Sequence, residues 1–284
     1  ALSLYNRLEN LVPITSEEGI TMRLKQATLH QKQSQLESAI SIWNTLLENH
    51  PTRVQLRTEI VSLLLEAGET DSAIQVLTRI ASSDDPQQKL NALTELNRIY
   101  EFISNFKAAA DAATQGLGVL HYKSHDYSLL FGRLVQIHER FDHLADLETQ
   151  LVSKVSKANP TEKSLHDLAA FYRLTANPEA EESTLLSLAE RLPNNIPYRI
   201  RLAKIQMRND HFDQAAETLD SVIAGAEIPP LNLVLLRAEI ALNTENKIEA
   251  EEILKHYLEI STPDASKLRV ITDFARSNYL DDLV

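Results

Sequence analysis

In LNALTELNRIY, residues 90–100, Leu93, Leu96 and Tyr100 recur three and four apart with polar residues between them. SLHDLAAFYRL (164–174) repeats the arrangement with Leu165, Leu168 and Tyr172, and YSLLFGRLVQI (127–137) and YRIRLAKIQM (198–207) vary it. Spacing of this kind puts the apolar residues on one face of an α-helix. A second apolar stretch follows each after about eleven residues, across short polar turns such as EAGET (66–70), RNDH (208–211) and NTEN (243–246). The pattern predicts pairs of helices.

The pairs recur. LESAISIWNTLLENHP (36–51) and TDSAIQVLTRIASSDDP (70–86) align with Ala39 against Ala73, and matching segments follow at 106–117, 141–151, 179–193, 212–223 and 248–263. Anchoring on Ala39, Ala73, Ala109, Leu144, Glu181, Ala215 and Ala250 gives steps of 34, 36, 35, 37, 34 and 35 residues. Small residues follow the middle apolar residue of the first helix at Gly132, Ala169 and Ala203, with Ala27 and Ala238 in the same register, so the second helix can approach closely. Prolines at 51, 86, 160, 193, 229–230 and 263 punctuate the units. A single pair cannot bury its apolar face, so each must stack on the next.

Leu93, Leu96 and Tyr100 in a first helix, and Ala39, Trp43 and Pro51 in a second, resemble the tetratricopeptide repeat (TPR) family. The resemblance extends over residues about 20 to 263 and implies an all-α, right-handed superhelical solenoid. It divides the chain into an N-terminal helix or cap (1–16), seven repeats (17–263) and a C-terminal capping helix (264–284). For the last, Asp264 is the expected N-cap and Leu268, Ile271, Phe274 and Ala275 the inward face. Several positions depart from the family's pattern: Arg237 stands for Leu, Val61 and Asn97 for a small residue, and Leu144 for the anchor alanine.

The resemblance also says where a partner would sit. Counting the register of Ala27 as position 8, positions 4, 7, 8 and 11 of each first helix face the partner helix, and positions 2, 5, 9 and 12 form a stripe roughly 130° around. In the family that stripe lines a concave groove that grips extended peptides or helices. It carries Arg98, Glu101, Arg133, Gln136, Lys163, His166, Arg173, Lys204 and Met207 here. The predicted partner-binding set is Arg98, Arg133, Gln136, His166, Arg173, Lys204 and Met207, whose central basic cluster suits an acidic segment or a terminal carboxylate. The equal alternative is that these long basic side chains solvate an outward face. Leu24/Thr28, Thr58/Ser62 and Thr94/Arg98 do not match the two-carboxylate clamp of chaperone-binding members.

Composition narrows the chemistry. The 284 residues hold six glycines, and good helix formers are plentiful. A net charge of −12 argues against a nucleic-acid or anionic-membrane binder. With no cysteine there is no disulfide, thiol catalysis or Cys-ligated metal, and the absence leans toward export without fixing a compartment. No apolar run is long enough for a transmembrane helix. A chain opening on Ala1 reads as a processed protein or an excised fragment.

HERFDH (138–143) comes near the HExxH zinc motif, but His138 and His143 are five apart, and i and i+5 lie about 140° apart on a helix. His121 and His125 are at i, i+4 without a third ligand. QGLGVL (115–120) lacks the Lys-Ser/Thr of a phosphate loop, and Glu181-Glu182 and Glu251-Glu252 read as solvated faces. Trp43, Tyr100, Phe106, Tyr172 and Phe212 fall at packing positions. The sequence therefore predicts a non-catalytic interaction scaffold without cofactor or metal. The alternatives are the repeat portion of a larger exported bacterial protein serving assembly or secretion, and a His-based metal hydrolase using residues 121–143.

Overall fold

A computed structural model describes residues 2–8, 11–50, 53–157 and 159–280. Pro51 and residues 281–284 of the expected terminal cap lie outside them. Among the described residues there are sixteen helices and no strand. A short helix, α1 (Leu2–Leu8), comes first. The first helices of the pairs are α2 (Glu17–Lys32), α4 (Val54–Glu66), α6 (Pro86–Phe102), α8 (His125–Arg140), α10 (Glu162–Leu174), α12 (Ile196–Arg208) and α14 (Leu231–Asn243). Their second helices are α3 (Leu36–Asn49), α5 (Thr70–Ala81), α7 (Phe106–Val119), α9 (Leu144–Val155), α11 (Pro178–Arg191), α13 (Phe212–Ile223) and α15 (Lys247–Ile260). The last helix is α16 (Ala265–Ser277).

Polar side chains start many of these helices by accepting the free N–H groups of the first turn. Ser16 caps α2, Asp85 α6, Ser124 α8, Thr161 α10 and Asp264 α16; Asn105, Asn177 and Asn246 cap α7, α11 and α15. Each first helix ends on a residue with positive φ: Ser34, Gly68, Ser104, Asp142, Ala176, Asp210 and Glu245. The amide after it reaches back five residues, as in Asn105 N to Tyr100 O and His211 N to Gln206 O, both 2.8 Å. This closure consumes a carbonyl left over by the helix end and sends the chain straight into the second helix.

The turns correct the register of the fourth pair. Asp142 follows Ser104 by 38 residues and precedes Ala176 by 34. So α8 runs on to Arg140, and the fourth anchor is Leu147, buried, rather than Leu144. Val135, not Gly132, takes the small-residue position; a Cβ on Gly132 would meet nothing within 4 Å. A slip of three residues is close to one helical turn, so an apolar stripe looks alike in both registers.

The chain divides into two compact units, residues 1–142 and 143–284. In the first, α1 to α8 pack each on the next, around a continuous core that includes Trp43, Ile60, Leu64, Leu77 and Leu96. In the second, α9 to α15 do the same, and α16 packs on α14 through Ile271 and Ala275. Burial of this kind stabilises by about 25 cal/mol per Å² of apolar surface, distributed along neighbouring pairs rather than gathered at one centre. On α16, Leu268 departs from its expected inward place: its side chain is 44 % exposed.

Candidate binding grooves

In the first unit a groove of about 480 Å³ opens between α4 and α6. Thr58, Ser62 and Leu65 of α4 and Asn91, Thr94 and Arg98 of α6 line it, with Leu77 and Ile80 of α5 beneath. In the second unit a groove of about 460 Å³ lies between α12 and α14, lined by Lys204, Met207, Leu236, Glu239 and Asn243 among others. Both fall on one face of successive first helices, because residues three and four apart point the same way while the opposite face is buried on second helices.

Arg98 lies in the first groove, 61 % exposed, with Nη1 donating to Glu95 Oε1 at 3.1 Å. Arg133 bonds Glu101 through Nε at 2.8 Å, which neutralises part of the predicted basic strip. With the corrected register Arg133 leaves position 9, and Gln136, exposed on α8, takes it. In the second unit Lys204 and Met207 share one groove. His166 is half-buried on α10, its Nδ1 3.7 Å from the buried Asp167, which also accepts from Lys163 Nζ at 2.9 Å. Arg173 is exposed; partial burial and the like charge of Arg201 lower its pKa, and Glu181 opposes that shift. Arg98, Arg133 and Gln136 thus belong to the first unit, and His166, Arg173, Lys204 and Met207 to the second.

Arg57 is the groove residue the sequence reading missed. It sits at position 4, a packing position in other repeats, but lines the α4–α6 groove. Its Nη1 donates to Gln88 Oε1 at 3.2 Å. Gln88 is itself held by Asp85, whose Oδ2 accepts from Gln88 Nε2 at 2.8 Å. Burial lowers the Arg57 pKa, and the neighbouring charge of Arg79 lowers it further. An arginine at a packing position was the available signal.

The histidines of HERFDH do different jobs. His138 is buried on α8 with its ring edge-on to Phe106 at 4.9 Å. His143 precedes α9 and holds Asp146 Oδ2 through Nδ1 at 2.8 Å. Among the described residues no three potential metal ligands cluster. Glu181 is not solvated, as its sequence pattern suggested, but buried against Arg201. No described helix is long and apolar enough to cross a membrane.

Residues 24–88 match the family model for the tetratricopeptide repeat. That stretch, from α2 to the start of α6, is built of tetratricopeptide repeats. Its solved structural neighbours include a TPR protein from Parabacteroides merdae at 16 % identity, covering 98 % of this chain and 91 % of that one with a TM-score of 0.35. The C-terminal part of a TPR repeat-containing protein from Cytophaga hutchinsonii is 12 % identical, covering 87 % and 98 %, with a TM-score of 0.42. YrrB, described as a TPR protein with an unusual peptide-binding site, is 12 % identical over 81 % of this chain and 97 % of its own, with a TM-score of 0.35. No curated protein matches the chain. Among the described residues each unit is all-helical and built of stacked helix pairs, the arrangement of the tetratricopeptide repeat.

Proposed function

We propose that this chain is a non-catalytic scaffold that holds an extended peptide or a helix of a partner protein on the exposed stripe of its first helices. The observation that carries this reading is the recurrence of a groove at equivalent positions: Thr58, Ser62 and Leu65 in the first unit, Lys204 and Met207 in the second. Each combines apolar surface with hydrogen-bonding groups, the mixture that fixes a peptide's register. Arg98, Arg133, Gln136, His166, Arg173, Lys204 and Met207 are the proposed contact residues, and the basic ones favour a partner with an acidic segment. Residues 17–263 form the repeats of this reading, with 1–16 and 264–284 covering the ends.

Site-specific photo-crosslinking in the native source tests it. A crosslinking residue replacing Ser62 or Asn243 should trap a partner, whereas one replacing the exposed Gln75 or Glu190 on second helices should not. Trapping only from Gln75 or Glu190 would move binding off the stripe. Arg98→Glu, Arg133→Glu and Lys204→Glu together should weaken capture at Ser62 and Asn243 if the basic residues contribute. Unchanged capture would leave them as solvated surface.

A further inference from the structure

Arg57 carries a charge that the fold does not neutralise. Among the described residues no ion pair of Arg57 with a carboxylate is found, and Arg79, whose charge acts on it, has the same sign. A guanidinium offers five N–H donors, and Gln88 occupies Nη1 through a neutral amide oxygen. The Asp85–Gln88–Arg57 chain holds the head group in place without cancelling it. Two other partly buried arginines do meet carboxylates: Arg201 with Glu181, and Arg237 with Asp220 and Glu249. Leaving a partly buried cation unpaired costs stability unless something else completes it.

We propose that Arg57 anchors an anion subsite in the α4–α6 groove, one that seats the side-chain carboxylate of an Asp or Glu in a bound peptide. Val61, Leu65, Leu77 and Ile80 border the same groove, so the carboxylate arrives beside an apolar neighbour, as it does on a peptide and not on an inorganic anion. Arg98 and Glu95 also line the groove but pair with each other, which leaves Arg57 as the cation without a carboxylate there. Arginine suits the role because its fork meets both carboxylate oxygens. The inference rests on the reading that the groove binds peptides, and it names what one subsite selects.

The test is a selection of random 12-residue peptides on the full chain and on Arg57→Gln in parallel. Wild type should enrich peptides with Asp or Glu at one fixed position beside an apolar residue. Arg57→Gln should bind those peptides on the order of tenfold more weakly, since a hydrogen bond to a charged group is lost. Amidating the peptide C-terminus should change nothing; a loss on amidation would show a terminal carboxylate to be the ligand and overturn the side-chain assignment. Equal enrichment of acidic peptides by both proteins, or enrichment without an acidic position, would sink the anion subsite and leave the groove reading standing. No enrichment by wild type would sink both. Arg57→Met serves as a second variant, and it should unfold at an equal or higher temperature than wild type. A large fall in melting temperature would make Arg57 a structural residue.

Discussion

Glu181 stands at an anchor position that holds alanine in five of the seven pairs, and it is only 3 % exposed. Arg201 meets it through both Nε (3.2 Å) and Nη2 (2.9 Å), and Nη2 also donates to the Ala169 carbonyl at 3.1 Å. One substitution in the pattern is thus answered by another, across α10, α11 and α12. Other departures are answered similarly. Asn97 fills a small-residue position and donates to the Ala109 carbonyl at 2.8 Å, and Gln206 accepts from the Thr218 hydroxyl at 2.9 Å. Arg237, at a leucine position, bonds Asp220 and Glu249; burial opposes its charge, but the two carboxylates outweigh that and raise its pKa. The two arginines should nonetheless respond differently to removal. Arg201→Leu strands a buried carboxylate and should cost about 3 kcal/mol, most of it recovered in the double variant with Glu181→Ala. Arg237→Leu leaves Asp220 in solvent, with its side chain 55 % exposed, and should stay within about 1 kcal/mol of wild type. Urea midpoints of these three variants and wild type decide; equal losses for Arg201→Leu and Arg237→Leu would refute the distinction.

Helices were the legible elements, and their ends explain why. Caps such as Ser16, Asp85, Thr161 and Asp264 are polar residues placed just before an apolar run, where an unpaired N–H needs an acceptor. Asp85 does this for α6 twice, accepting from Gln87 N at 2.9 Å and Gln88 N at 3.2 Å. The Gln88 backbone bond, then the Gln88 side-chain bond, pull its pKa below the ordinary carboxylate value. A carboxylate whose pKa is lower folded than unfolded adds stability above the unfolded value, about 4, and loses it as pH falls through the folded value. Asp85→Ala should therefore lower the melting temperature at pH 7 and converge with wild type toward pH 2. A difference that persists unchanged at pH 2 would show that the carboxylate's charge is not the cause. The fourth pair was the element misread. In its first helix the buried set Phe131, Leu134, Val135 and His138 repeats at three and four, so no single residue betrays a three-residue slip. The turn at Asp142 does, because only one residue per pair adopts positive φ.

At the scale of the molecule, the repeat makes stability a sum over neighbours, and each of the two compact units carries its own buried core. Residues 1–142 and 143–284 made separately should each retain helical circular dichroism and melt cooperatively; a featureless spectrum from either would mean that its helices depend on the rest of the chain. What the sequence determined by itself was periodic: helix pairs, their spacing, the Asp264 cap and the likeness to a repeat family. Those follow from local rules, hydrophobic spacing and backbone hydrogen bonding, which act within a few residues and leave their mark in order along the chain. The tertiary structure alone decided which polar residues answer one another. Arg201 and Glu181 are twenty residues apart, Arg57 and Gln88 thirty-one, and each pair is formed by the stacking of different helices. The charge of a basic residue reads the same in the sequence whether a glutamate neutralises it, as at Arg133, or only a neutral amide meets it, as at Arg57. Only packing brings the neighbouring carboxylate to one arginine and withholds it from the other, because the energy of a charge depends on what surrounds it in space.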